Sequence, residues 1–431
     1  MSAKAFSQSS NKPLIVLILL LLLPAYDGAD RTYLKAIYIK DVDTLMVKMI
    51  AKMANFQSAD GLDSAKSLPD NNADSRADNT AFEDTIADDN IATSHLDNSN
   101  YYNKNAVSIA NNEINLARTS CGLSALSAGS ELESMAIRHA NYINYVFANS
   151  TPTLFNAHSQ SQIDDIAKVT GRNNPYFTGD ELKERLQRAN YKNIAYGVAE
   201  NIAQSSYYHS LGDMVAPDNA ARSMVKSLLA APYHLRALMI PNSSVTGTGV
   251  VAFKPYDKDA NTYQSYALVN YAAATKTSKD VSYSGIFTYP CQDVTETVTA
   301  LYNETPDPFR GTRNLQDNPI GQPIYINVPT AKTIKISNIS FYDVARDREV
   351  PTQLLDVDQD PYRNTSYELP ANEAFILPLT DRLKSCEHRP KVGQNCGLYG
   401  NSQYRVSFDV MIDNKALVNK TFTFTTGEVS Y

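Results

Sequence analysis

Between Gln57 and Asn100 the chain carries ten acidic residues against two basic ones, with much Asn, Ser and Ala and almost no aromatic side chain. Such a stretch cannot bury enough apolar surface to offset its ordering entropy. It reads as a disordered acidic linker (57–100), in which His95 is a solvated bystander. Ordered structure is therefore expected to begin near Tyr101. A single core stops growing near ~250–300 residues, so a chain of 431 residues implies more than one domain beyond that point.

Ahead of the linker, Lys4 and Lys12 precede an apolar run from Leu14 to Leu23, closed by Pro24 and Ala25. That order is the order of an export signal over residues 1–30. The run falls well short of the ~20 residues that span a bilayer, which favours a cleaved signal over an anchor. Tyr26–Asp30 make a poor cleavage site, so an uncleaved membrane tether is the alternative. Residues 31–56 place Leu34, Ile37, Leu45, Met49 and Met53 on one helical face, either an amphipathic helix on a membrane surface or an ordinary packed helix. A net charge of −7 with no lysine- or arginine-rich run argues against a nucleic-acid partner. The mature protein is thus expected outside the cytoplasm, in a periplasmic or extracellular setting. There the four cysteines should be paired rather than metal-bound. Of three connectivities, the short Cys386–Cys396 loop is favoured, leaving Cys121 with Cys291.

After Tyr101 the apolar spacing is helical. Val107, Ala110, Ile114 and Ala117 mark one helix over 106–118. Ser130 with Glu133 three residues on forms a capping box for a second, whose inward face carries Leu132, Ala136, His139 and Ile143. A lone histidine on such a face reads as a hydrogen-bonded core residue standing apart from any site. Thr178 and Glu181 form another capping box before Leu182, Leu186 and Ala189, and a further helix is expected over 219–229. The period then shifts: Thr248–Phe253 and Tyr263–Tyr271 read as a hairpin. Helices interleaved with few strands suggest an antiparallel sheet between helical layers. Pro306, Pro308 and Pro319 mark a second linker over 276–319. Short alternating runs at 323–328, 333–341, 374–377, 404–412 and 416–425 then read as a β-sandwich.

Three residues in the helical part can carry chemistry: His158, Glu200 and His234. Two imidazoles and a carboxylate can supply three ligands to a divalent cation such as zinc and leave one position open. A histidine beside a glutamate can equally form an acid–base pair. Their wide spacing does not decide between these, and no HExxH helix or GxSxG elbow is present. Ser159, Ser205 and Ser206 are nearby hydroxyls, none singled out as a nucleophile.

The ordered phrases Asn112-Glu-Ile-Asn-Leu-Ala-Arg118, Cys121-Gly-Leu-Ser-Ala-Leu126, Leu132-x-x-x-Ala136-x-x-His139, His158-Ser159, Glu200-Asn-Ile202, Pro232-Tyr-His234-Leu-Arg236 and Thr248-Gly-Val-Val251 resemble the CAP superfamily. These are the cysteine-rich secretory, antigen 5 and pathogenesis-related proteins, and the likeness is to the bacterial-type SCP domain. The resemblance covers roughly residues 105–275 of a domain expected over 101–275. It implies an α-β-α sandwich (an α+β fold) whose cleft holds a His/Glu tetrad that binds a divalent cation in some members. His158, Glu200 and His234 match three of the four; for the fourth acid Asp164, Asp165 and Glu181 are candidates. Gln160 stands where many members have glutamate, and the tryptophan common before the last histidine is missing, with Leu228 near its place. Gly321-Gln-Pro323, Tyr404-Arg-Val406 and Phe422-Thr-Phe424-Thr-Thr426 resemble an immunoglobulin-like domain over 320–431, which binds or spaces rather than catalyses. The expectation is a non-enzymatic, exported cell-envelope protein whose cleft takes a divalent cation and a small or lipid-like ligand. The alternative is a metal-dependent hydrolase acting on peptide or envelope material.

Overall fold

The computed structural model describes residues 103–209, 214–365, 367–386 and 395–429. The export signal, the amphipathic face of 31–56, the acidic linker and His95 lie outside the described residues. The first helix, α1 (Lys104–Ser120), is capped by Asn103, whose Oδ1 accepts the Ala106 N–H at 3.0 Å. A two-residue strand β1 (Ser127–Ala128) leads into α2 (Ser130–Asn149). Here the capping box is not formed: the N-cap is Gly129, one residue earlier, which has no side chain to cap with and whose own N–H is held by Thr246 O at 2.8 Å. After short turns come α3 (Leu182–Arg188), β2 (Val198–Tyr208), α4 (Pro217–Leu228), α5 (Pro232–Leu238), β3 (Ser243–Phe253), β4 (Tyr263–Ala274) and a single turn α6 (Lys276–Lys279). Thr178 does not cap α3 either; its N–H and hydroxyl both reach Gln160 Oε1, at 2.7 and 3.3 Å.

The first sheet has the order β1-β3-β4-β2, with the expected hairpin β3–β4 antiparallel at its centre. Helix α2 covers one face, burying Leu132, Ala136, Ala140 and Ile143 against Val251, Ala267 and Val269. It comes so close that a Cβ on Gly247 or Gly249 would run into its backbone. Helices α1, α4 and α5 cover the other face through Ala110, Ile114, Met224 and Leu235. Helix, sheet, helix is the expected layering.

The rest of the chain builds two further sheets. The strands β5 (Phe287–Tyr289), β7 (Ile324–Asn327), β10 (Thr352–Asp356) and β11 (Glu373–Pro378) form one, in the order β10-β11-β7-β5. The strands β6 (Val294–Thr297), β8 (Ile334–Asp343), β9 (Arg348–Glu349), β12 (Gln403–Ile412) and β13 (Ala416–Thr426) form the other, in the order β6-β13-β12-β8-β9. Between them Ile324, Ile326 and Ile376 meet Phe341, Val406, Phe408 and Phe424. The segment 276–319 is therefore not a linker: β5 and β6 place it in both sheets. The alternate residues of the four-stranded sheet, Tyr325, Phe375 and Leu377, join the core under α1, α4 and α5. Strand β11 is buried on both faces, which explains its continuous apolar reading. Both expected disulfides are present, Cys121–Cys291 and Cys386–Cys396, and the first ties the end of α1 to the β-module.

Candidate functional site

The site is built around the edge strand β2. Its neighbouring residues Glu200 and Asn201 point to opposite faces of the sheet. Glu200 turns to the α2 face, where Oε1 takes bonds from His139 Nδ1 at 3.0 Å and Arg185 at 2.8 Å, and Oε2 meets His158 Nδ1 at 2.8 Å. Asn201 turns to the α5 face and accepts from His234 Nδ1 at 3.3 Å. The two histidines thus come from opposite sides of the sheet and meet beyond its edge, with ring centroids 5.8 Å apart and planes within 20° of parallel.

Each imidazole is fixed from behind. His158 follows an Asx turn in which Asn156 Oδ1 accepts the His158 N–H at 3.0 Å. Arg185, from α3, clamps that loop by donating to His158 O and to Asp180 O, both at 3.1 Å. His234 is reached by a buried polar chain across the sheet: Asn270 donates to Thr246 and Thr248, each at 2.8 Å, and Asn201 Nδ2 donates to Asn270 Oδ1 at 3.4 Å. With Nδ1–H of each ring directed at an oxygen, the Nε2 lone pairs of His158 and His234 remain available.

Burial pushes the Glu200 carboxyl up, but His139, His158 and Arg185 together hold it well below the usual carboxylate range. Burial, and then the neighbouring His158, pull His234 down to about 3, so that ring is neutral. Burial also lowers His139, against the opposing pull of Glu200. Its Nε2 lies 2.9 Å from Ala157 O, while Nδ1 faces both Glu200 Oε1 at 3.0 Å and the Tyr271 hydroxyl at 3.2 Å, which can donate to a neutral ring.

His158, Glu200 and His234, far apart in sequence, come together. Their roles differ from a three-ligand cation site. Glu200 is 4% exposed at its side chain and already accepts from three donors, and among the described residues no group of three or more His, Cys, Asp or Glu could hold a metal ion. The residues present fit a pair of imidazole ligands, with Glu200 behind one of them. Asp164 and Asp165 lie exposed on a single 3-10 turn and Glu181 is exposed at the start of α3, so none is a fourth member. Gln160 is buried and committed to Thr178.

Four residues that the sequence reading did not assign to the site complete it: His139, Arg185, Asn201 and Glu304. Glu304 comes from the β-module, in the segment between β6 and β7, is 5% exposed, and accepts the N–H groups of Tyr233 at 2.7 Å and His234 at 3.3 Å. Burial pushes its carboxyl well above the usual range, against those two hydrogen bonds. His158, His234, Ile202 and Gln204 line a cavity of about 900 Å³ together with Tyr302–Thr305 and Glu428.

No curated protein matches the chain. Among solved structures it is similar to CopC from Methylosinus trichosporium OB3b at 10% sequence identity and a TM-score of 0.18, over 33% of this chain and 92% of that one, which carries no argument. Residues 112–271 match the family model for CAP, the cysteine-rich secretory protein family. With the phrases that run from Asn112 to Tyr271 and the helix–sheet–helix layering around them, this part of the chain belongs to the CAP superfamily.

Proposed function

We propose that the chain is an exported binding protein of the cell envelope, and that its ligand sits in the cleft beyond the edge of β2. The observation that supports this is the pair of imidazoles, each oriented by an oxygen behind it and each presenting Nε2 to a cavity of about 900 Å³. That volume lies at the upper end of small-molecule sites. A divalent cation such as zinc would be held by His158 and His234, with Glu200 fixing the His158 ring. The β-module, in this reading immunoglobulin-like, also lines the cleft.

The hydroxyls favour binding over hydrolysis by a serine nucleophile. Ser159 bonds Ser161 at 3.0 Å, Ser206 bonds Ser265 at 2.7 Å, and Ser205 has no partner. None of the three is activated by an adjacent base. Calorimetric titration with zinc tests the cleft: His158→Ala and His234→Ala should each abolish binding that the wild-type protein shows. Equal affinity in all three proteins would reject the proposal. A chelator-sensitive peptidase activity lost in the same two variants would replace binding by catalysis.

A further inference from the structure

The register of β2 fixes where its backbone points. At the two ends of its ladder with β4, Ala274 N–H bonds Gly197 O at 3.1 Å and His209 N–H bonds Thr262 O at 2.8 Å. The pairing between them has no bulge. In an antiparallel ladder, hydrogen-bonded pairs alternate with non-bonded ones. The odd-numbered residues therefore bond inward to β4, and Val198, Glu200, Ile202, Gln204, Ser206 and Tyr208 turn their N–H and C=O groups to the open side. Strand β2 is the last of its sheet, and among the described residues no backbone group pairs with that outer edge.

Folded proteins rarely leave a long edge free without covering or blunting it, because it is a template for another strand. Here the middle of an eleven-residue edge faces a cavity: Ile202, Ala203 and Gln204 form one wall. Glu304, beside His234, also lines the cavity. The remaining lining is rich in amides and hydroxyls, such as Asn156, Asn219, Ser223 and Asn303. Its charges are largely matched, Arg222 by Glu113 at 2.7 Å and Lys226 by Glu296 at 3.6 Å. Such a cavity suits a neutral ligand with its own rows of donors and acceptors, whereas a lipid chain would leave the amides and the strand edge unsatisfied.

We infer that the cleft takes an extended peptide, which adds to the free edge of β2 over Glu200, Ile202 and Gln204 and passes the His158–His234 pair. The inference rests on the reading of the cleft as a ligand site and names the class of ligand. The peptide backbone pairs with the outward groups of the even-numbered residues.

The test uses the full chain and a displayed library of random dodecapeptides, from which selected sequences are synthesised and their binding is measured in solution. A series methylated at one backbone nitrogen at a time should lose affinity about tenfold at every second position and little between, since only alternate N–H groups face β2. Gln204→Pro removes one outward donor from an edge strand, where proline is tolerated, and should weaken the same peptides about tenfold. If that variant fails to fold, the methylated series on the wild-type protein decides alone. No selected peptide, binding indifferent to methylation, or a solution dimer whose own β2 edges occlude each other would each overturn the inference. The zinc titration reads the histidine pair separately: intact zinc binding with no peptide binding rejects the peptide and leaves the cleft standing.

Discussion

Arg185→Met removes the one permanent cation that, among the described residues, pairs with Glu200, while keeping most of the buried side-chain volume. The guanidinium makes three bonds, to Glu200 Oε1 at 2.8 Å and to the carbonyls of His158 and Asp180 at 3.1 Å each. Breaking a buried ion pair from one side typically costs about 3–5 kcal/mol. Glu200 can relieve part of that loss by taking a proton, which from an ordinary carboxyl value of 4.5 costs about 3 kcal/mol at pH 7. The His158 carbonyl, left without its donor, adds roughly 1 kcal/mol unless water reaches it, whereas Asp180 O keeps the Gln160 N–H at 2.9 Å. We therefore expect a loss of about 3–5 kcal/mol at pH 7. The sign with pH is fixed as well: the folded carboxyl titrates below its unfolded value, so its contribution is present above about pH 4.5 and is lost as pH falls through the folded value. The deficit of the variant must shrink as pH is lowered from 7 towards 4. With 27 tyrosines and no tryptophan, urea unfolding is best followed by near-ultraviolet dichroism at both pH values, the slope being compared between variants. A loss under about 1 kcal/mol at pH 7, or one that grows in acid, would refute the electrostatic account of the cluster.

Two further expectations concern the joint between modules. Cys121→Ser opens a bridge that spans 170 residues, for which chain entropy gives about 5 kcal/mol; calorimetry should show a much lower melting temperature, and an unchanged one would mean that the shared core suffices. Glu304 is raised in the folded state, so wild-type stability should decline as pH rises from about 4.5 towards the folded value; E304Q removes that decline, and urea midpoints at pH 5 and 8 that move in parallel for both proteins would contradict it.

How far the site was legible in sequence depends on the kind of information each residue carries. His158, Glu200 and His234 were visible because each sits in a short phrase. The use of Glu200 was not, because it depends on Arg185 and His139, which arrive from other helices. Helical spacing placed His139 correctly on a buried face, where it is 0% exposed. Spacing cannot name a partner 61 residues away, and so it set His139 apart from the site that it serves. The capping boxes at Ser130 and Thr178 failed through contacts from outside the helix: Gly129 N–H bonds Thr246 O, anchoring the chain one residue before Ser130, and Thr178 is held by Gln160. The segment 276–319 was read as a linker from its prolines, and its strands of three and four residues are too short to show a period. Strand β2 escaped notice because its outer half, ending in Ser205-Ser-Tyr-Tyr208, alternates in exposure without a run of branched apolar residues.

The helix that carries His234 explains why sequence units and structural units divide this chain differently. Helix α5 has seven residues, too short to hold itself together in water, and its N-cap, Ala231, has no side chain to accept a hydrogen bond. The groups that fix it come from the other module. Glu304 accepts two of its first N–H groups, Asp360 accepts the Tyr233 hydroxyl at 3.0 Å, and Glu373 pairs with Arg236 at 2.6 Å. Gln322 donates to Leu229 O just ahead of it at 2.8 Å. At its far end, Arg118 of α1 donates to Leu238 O at 2.7 Å and Ile240 O at 3.0 Å, so the CAP part secures the C-terminus. The position of His234 relative to His158 is therefore set jointly: β2 and α3 fix one imidazole from within the CAP domain, while acids of the β-module fix the helix that bears the other. A spacer domain would make no such contacts. The cleft belongs to the assembled pair of modules, and the family match from 112 to 271 covers both histidines but not the acids that fix the start of the second one's helix.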